Sequence, residues 1–175
     1  IGSHKGAGVE RGIETLAEAL SWLLAESSPE ASILLEGGTG AGTEIGTSLE
    51  GMSRILESLP RFVGRLGICL DTAHLWAVGY DLSTPEGMEE TFSRFHELIG
   101  VERLEVIHAN DNTRALGSRA DYHELPGKGL IGLESFRGLV NLPILADVPF
   151  ILEEADGTPE ERRRNLDMMR GLIER

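Results

Sequence analysis

The sequence has one cysteine, two lysines, no glutamine and few aromatic side chains. A lone Cys69 excludes an internal disulfide and points to a reducing compartment. The shortage of lysine and absence of glutamine hint at a thermophile or a GC-rich genome. No apolar run reaches the ~18 residues that a membrane-spanning helix needs, so no membrane partner is expected. No secretory signal is visible, and because residue 1 is Ile the genetic start is expected to lie upstream. Basic charge is scarce: 16 Lys and Arg against 29 Asp and Glu give a net charge of −13. That balance argues against a nucleic-acid binder that relies on a basic surface. Bound metal cations would change it, because an acidic residue that holds a metal does not repel phosphate as a free one does.

What is present fits a globular chain. With 175 residues, 41% hydrophobic and 26% charged, it is long enough for one sizeable core, as a domain or part of a larger one. Apolar residues at Ile13, Leu16, Leu20, Leu23 and Leu24 have helical spacing, predicting a helix over 10–26. Further helices are expected over 48–58, 86–99, 132–140 and 159–173, with Pro85 in a first turn and Thr158-Pro159 as a start signal. Between them lie short apolar runs that read as buried strands: SILLE (32–36), LGICLD (66–71), LEVIHAN (104–110) and PFILEE (149–154). Apolar strands alternating with amphipathic helices indicate a parallel α/β sheet covered by helices. Two architectures fit, an open doubly wound sheet and a (β/α)8 barrel. No G-x-G-x-x-G follows a strand, and the glycine-rich EGGTGAGTEIG (36–46) lacks the GK[ST] ending of a phosphate-binding loop.

Each predicted strand carries a metal-capable residue near its end: Glu36, Asp71, His108 and Glu153. A polar residue also marks the exit of any strand into solvent, but in parallel α/β folds the C-terminal strand ends converge on the functional face. Loop residues add to the four. Asp71-Thr72-Ala73-His74 brings a histidine just past the second strand, a spacing that also suits a helix cap. The RADYHELPGKG segment (119–129) offers Asp121 and His123, a pair equally compatible with a solvated turn. Seven carboxylate and imidazole donors without a thiolate suit Zn²⁺, Mn²⁺ or Fe²⁺, and exceed the three protein ligands of one catalytic zinc. More than one metal is therefore expected. His96 reads as a helix-face histidine. Trp76 and Tyr80 either stack on a base or sugar or pack beneath their loop.

The segments GICLDTAHLWAVGYD, IHANDN, LGSRADYHELPGKGLIG and PFILEEAD resemble the endonuclease IV family, zinc-dependent apurinic/apyrimidinic endonucleases of DNA repair. The resemblance runs from residue 1 to residue 153 or beyond. It implies a TIM-type (β/α)8 barrel, of which residues 1–175 would be the C-terminal portion, roughly the last four strands and their helices. It implies up to three Zn²⁺ in a complete enzyme. Glu36 would bridge the first and second ions. Asp71, His108 and Glu153 would complete the second, and His74, Asp121 and His123 would hold the third. Two sites would thus be fully encoded here. Glu153 rather than Glu154 is taken as inward on this ground, since neighbours on a strand point oppositely.

The implied reaction is hydrolysis of the phosphodiester 5′ to an abasic site in double-stranded DNA, leaving a 3′-hydroxyl and a 5′-deoxyribose phosphate, with Glu36 and Glu153 as catalytic groups. Arg114, Arg119 and Lys128 would grip DNA phosphates, or else are ordinary solvated loop charges. A full-length monomer in the cytoplasm of a bacterium or archaeon is expected. The chain departs from the family pattern at two places. It begins I-G-S-H where the family has H-P-G-S-H, so His4 matches the non-ligand histidine. It also reads EGGTGAG where the family has E-N-T-A-G-Q-G, losing an amide side chain. A C-terminal piece of a longer enzyme is therefore expected, with two half-barrels pairing as a dimer as the alternative. Two rival functions remain: a metal-dependent sugar isomerase or epimerase using Glu36, Asp71, His108 and Glu153, and a non-catalytic barrel fragment.

Overall fold

The structure is a computed structural model that describes residues 1–154 and 156–174. In chain order its elements are β1 (Gly2–Ser3), α1 (Val9–Glu26), β2 (Ile33–Glu36), β3 (Glu44–Ile45), α2 (Leu49–Glu57), β4 (Leu66–Asp71) and α3 (Thr72–Val78). There follow α4 (Pro85–Leu98), β5 (Leu104–His108), β6 (Asp111–Asn112), β7 (His123–Glu124), α5 (Leu133–Val140), β8 (Phe150–Ile151) and α6 (Pro159–Arg170). Pro85 and Thr158-Pro159 open their helices as the sequence suggests. Ser48 and Thr84 accept from Gly51 and Gly87 amides, and Thr158 forms a reciprocal capping box with Glu161.

Strands β2, β4, β5 and β8 form one parallel sheet in that spatial order. Order in space follows order in the chain. A doubly wound sheet reverses at a switch point, whereas a barrel advances steadily, so these four strands have the barrel's sequence. The register sets Glu36 beside Cys69 and Asp71 beside His108. Strand alternation then puts Glu36, Cys69, Asp71 and His108 on one face. The opposite face carries Leu35, Ile68, Leu70 and Ile107, all buried with Leu24, Ile55, Phe95, Phe136 and Leu139 of the surrounding helices. Two antiparallel ribbons flank the sheet, β1 with β3 and β6 with β7.

Three sequence expectations change. The fourth strand, expected over 149–154, pairs with β5 only at Phe150–Ile151. Glu153 therefore follows the ladder rather than ending it. Residues after Asp71, read as a loop, instead form α3, which stops at Gly79 in the left-handed region with φ 119°. The long loop after β5 contains the β6–β7 ribbon. No helix among the described residues is long and apolar enough to cross a membrane.

Candidate metal centre

The C-terminal edge of the sheet gathers all seven predicted donors. Asp71 is the most enclosed, with its side chain fully buried. Its Oδ1 accepts from the Ala73 and His74 amides at 2.7 and 3.1 Å, capping α3. Its Oδ2 faces the site. The D-x-x-H spacing thus serves both readings: the cap fixes Asp71, and the first turn of α3 carries His74 over the same edge.

Two donor sets share Asp71. In the first, His108 Nδ1 lies 3.0 Å from Glu36 Oε1, 3.4 Å from Glu153 Oε2 and 3.8 Å from Asp71 Oδ2. In the second, His123 Nε2 lies 2.8 Å from Asp121 Oδ1, 3.3 Å from His74 Nε2 and 3.6 Å from Asp71 Oδ2. Asp121 Oδ2 is 3.4 Å from His74 Nε2. The ribbon explains the pairing of Asp121 and His123: β7 aligns His123 with Asn112 and turns the preceding segment back toward α3. The opposite ring nitrogen of His74, Nδ1, is 2.8 Å from the Gly37 carbonyl, which orients the ring.

These residues fit a metal by their chemistry. Glu36, Asp71, Asp121 and Glu153 form ion pairs with histidines only among the described residues, never with Arg or Lys. Four carboxylates so close together need a positive charge. Ligand atoms of Asp71, His108 and Glu153, and of Asp71, His74 and His123, fall within 4.8 Å of one another. Burial would push the His74 imidazole down, but the facing charges of Asp71 and Asp121, the Gly37 carbonyl and Glu36 hold its pKa above the ordinary value.

A third close group joins Glu36 and His108 to Cys69, which sequence reasoning passed over. The Cys69 thiol is pushed up to about 12 by burial and by the Glu36 and Asp71 charges. Sequence reasoning also passed over Asn110, buried at the exit of β5, whose signal was the polar run IHANDN inside an otherwise apolar strand pattern.

Other candidates sit apart from the donors. His96 is exposed on α4, as expected, and accepts from the Val101 amide at 3.4 Å. His4 accepts from the Gly6 and Gly8 amides. Trp76 is buried and donates to the Arg114 carbonyl, and Tyr80 accepts from the Leu49 amide, so both pack beneath their loops. Glu154 turns away from the cluster and accepts from Asn165 of α6. Arg114, Arg119 and Lys128 are exposed near the β6–β7 ribbon, with the Arg114 guanidinium 4.0 Å from the centre of the Tyr122 ring. An open cleft of about 870 Å³ adjoins the donors, lined by His123, Glu124, Leu125, Glu153, Glu154 and Asp156.

Comparison with known proteins agrees with this architecture. A probable endonuclease 4 from Chloroflexus aurantiacus is 43% identical over 99% of this chain and 61% of its own length. One from Natronomonas pharaonis is 40% identical over 99% of this chain and 61% of its own. The crystal structure of endonuclease IV from Thermus thermophilus superposes with a TM-score of 0.77 at 34% identity, covering 94% of this chain and 57% of that one. The chain thus spans about three-fifths of the length of the curated relatives it matches. The family model described as a xylose isomerase-like TIM barrel matches residues 1–172, and the chain belongs to that family.

Proposed function

We propose that the protein containing this chain is a zinc-dependent endonuclease of DNA repair that hydrolyses the phosphodiester 5′ to an abasic site. The chain would be the C-terminal portion of its barrel domain. The observation that carries the reading is the pair of donor sets meeting at Asp71. Asp71, His108 and Glu153 would hold one ion with Glu36, and His74, Asp121 and His123 another. Bound zinc supplies Lewis-acid stabilisation of charge on a phosphoryl group and a water acidic enough to react near neutral pH.

The chain's own residues do the rest. Glu36 and Asp71 fix the floor of the site, because a strand end and a helix cap hold them. Glu153, 43% exposed and lining the cleft, orients the attacking water and accepts its hydrogen bond. A bond forms from water oxygen to phosphorus and the bond from phosphorus to the 3′-oxygen breaks, with the water proton leaving and the 3′-oxygen taking one up. The products are a 3′-hydroxyl and a 5′-deoxyribose phosphate. An abasic sugar is easily turned out of the duplex, since no base has to be unpaired. Arg114, Arg119 and Lys128, exposed near the β6–β7 ribbon, contact the phosphate backbone.

A sugar isomerase would use Glu36, Asp71, His108 and Glu153 but has no need of His74, Asp121 and His123, so the second donor set favours phosphodiester hydrolysis. The test is incubation of the zinc-loaded enzyme with end-labelled duplex DNA carrying one abasic site. Incision to a 3′-hydroxyl fragment is expected. No incision, with aldose–ketose interconversion instead, would overturn the reading.

A further inference from the structure

Asn110 is 2% exposed, and both protons of its amide point at carboxylates of the metal centre. Nδ2 donates to Asp71 Oδ2 at 2.7 Å and to Glu153 Oε2 at 2.8 Å. Those two oxygens are the ones that face His108 Nδ1. A carboxylate oxygen has two lone pairs, so each keeps one free toward the imidazole. The two carboxylates differ in how they are held. Asp71 is anchored by the α3 amides that meet its other oxygen. Glu153 lies past the end of the β8 ladder, and the Asn110 amide makes its only side-chain hydrogen bond among the described residues.

Asn110 is itself rigidly placed. Its backbone amide donates to Thr72 Oγ1 at 2.9 Å, and the Thr72 hydroxyl donates back to the Asn110 carbonyl at 2.6 Å. Thr72 is fully buried at the first position of α3. One residue earlier, the Ala109 amide donates to the Ile151 carbonyl at 2.7 Å, tying the β5 exit to β8. The position also calls for a neutral double donor. Aspartate there would add a third negative charge beside Asp71 and Glu153, and an apolar side chain would leave both oxygens without the bond.

We propose that Asn110 is a positioning residue: its amide clamps Glu153 against the fixed Asp71, so that the Asp71–His108–Glu153 set is assembled before a metal arrives. This rests on the metal-binding reading of the site. Removing the clamp leaves Glu153, which lies past the β8 pairing, without a side-chain hydrogen bond among the described residues, and the ion must then pay the cost of ordering it. Loss of an outer partner of this kind weakens metal binding by about 10- to 100-fold.

The test is zinc affinity by chelator competition, free of any DNA, on the whole protein that contains this chain, with Asn110→Ala, Glu153→Gln and the double variant. For Asn110→Ala, one zinc is expected to weaken by about 10- to 100-fold while any other is held as before. In the Glu153→Gln background the same change should add less than about 2-fold, because Asn110 acts through Glu153. A general structural role would give equal losses in both backgrounds and overturn the assignment, as would unchanged affinity in Asn110→Ala. If the alanine variant does not fold, Asn110→Ser, neutral and too short to reach both oxygens, is read in the same way and is expected to weaken the same zinc. If the unaltered protein takes up no zinc, the metal reading falls and the clamp with it. If it takes up zinc and only the variant comparison fails, the clamp alone falls.

Discussion

His74 and His123 face each other with their Nε2 atoms 3.3 Å apart and ring centroids 5.1 Å apart. Two imidazole nitrogens at that distance need a proton or a cation between them, and Asp121 stands beside both. Without metal, an N–H of either ring can stand there, and the His74 pKa lies above its ordinary value. Burial opposes the charged form of His74, but Asp71, Asp121, the Gly37 carbonyl and Glu36 outweigh it. A raised folded-state pKa contributes stability that is complete below the unfolded value of 6.5 and is lost as pH rises through the folded value. The chelator-stripped chain should therefore have a higher urea midpoint at about pH 6 than at about pH 8. Equal midpoints would show that His74 does not supply this charge.

Asp71 has two duties that substitutions separate. Asp71→Asn keeps an acceptor for the Ala73 and His74 amides but removes the charge and turns its own Nδ2 against the Asn110 amide, so zinc binding should fall sharply and metal-free stability by about 1–3 kcal/mol for the unmet buried donors. Asp71→Ala loses the cap as well, at a further cost of about 0.5–2 kcal/mol. Thermal melts of the stripped variants, compared with their zinc content, check this.

The Cys69 thiol, raised to about 12, should remain protonated and buried at ordinary pH. Iodoacetamide at about pH 8 is expected to leave the native chain unmodified and to label it fully once denatured. Rapid labelling of the native chain would mean that β4 opens far more readily than its burial suggests.

The proposed phosphate contacts are testable by salt. Neutralising a true contact lowers the slope of log affinity against log salt by about 0.9 in duplex DNA. Arg114→Gln and Lys128→Gln follow this rule. Arg119 has φ 54°, a left-handed conformation that costs a non-glycine residue about 1–2 kcal/mol. Arg119→Gly should thus weaken DNA binding while leaving stability equal or improved. Unchanged slopes would remove these residues from the interface.

Much of the site was legible because buried parallel strands read as apolar runs, and a metal-capable side chain at their ends breaks the run visibly. Glu36, Asp71 and His108 stand out for that reason. Glu153 stands out in the same way, but its choice over Glu154 came from the resemblance, since β8 pairs over only two residues and stops short of both. The short helix α3 was hidden because its N-cap, Asp71, also ends a strand, so one residue carried two signals. Asn110 was hidden differently: an asparagine in a polar exit run looks like a turn residue. Only its burial, and the two carboxylates brought to it from β4 and from beyond β8, show what it donates to.

The most direct measurement is zinc per chain, by elemental analysis of protein purified without chelator. Two tightly bound zincs per chain are expected, one for each donor set that meets at Asp71. One zinc or none would contradict the account, and sugars rather than DNA would then be the substrates to try.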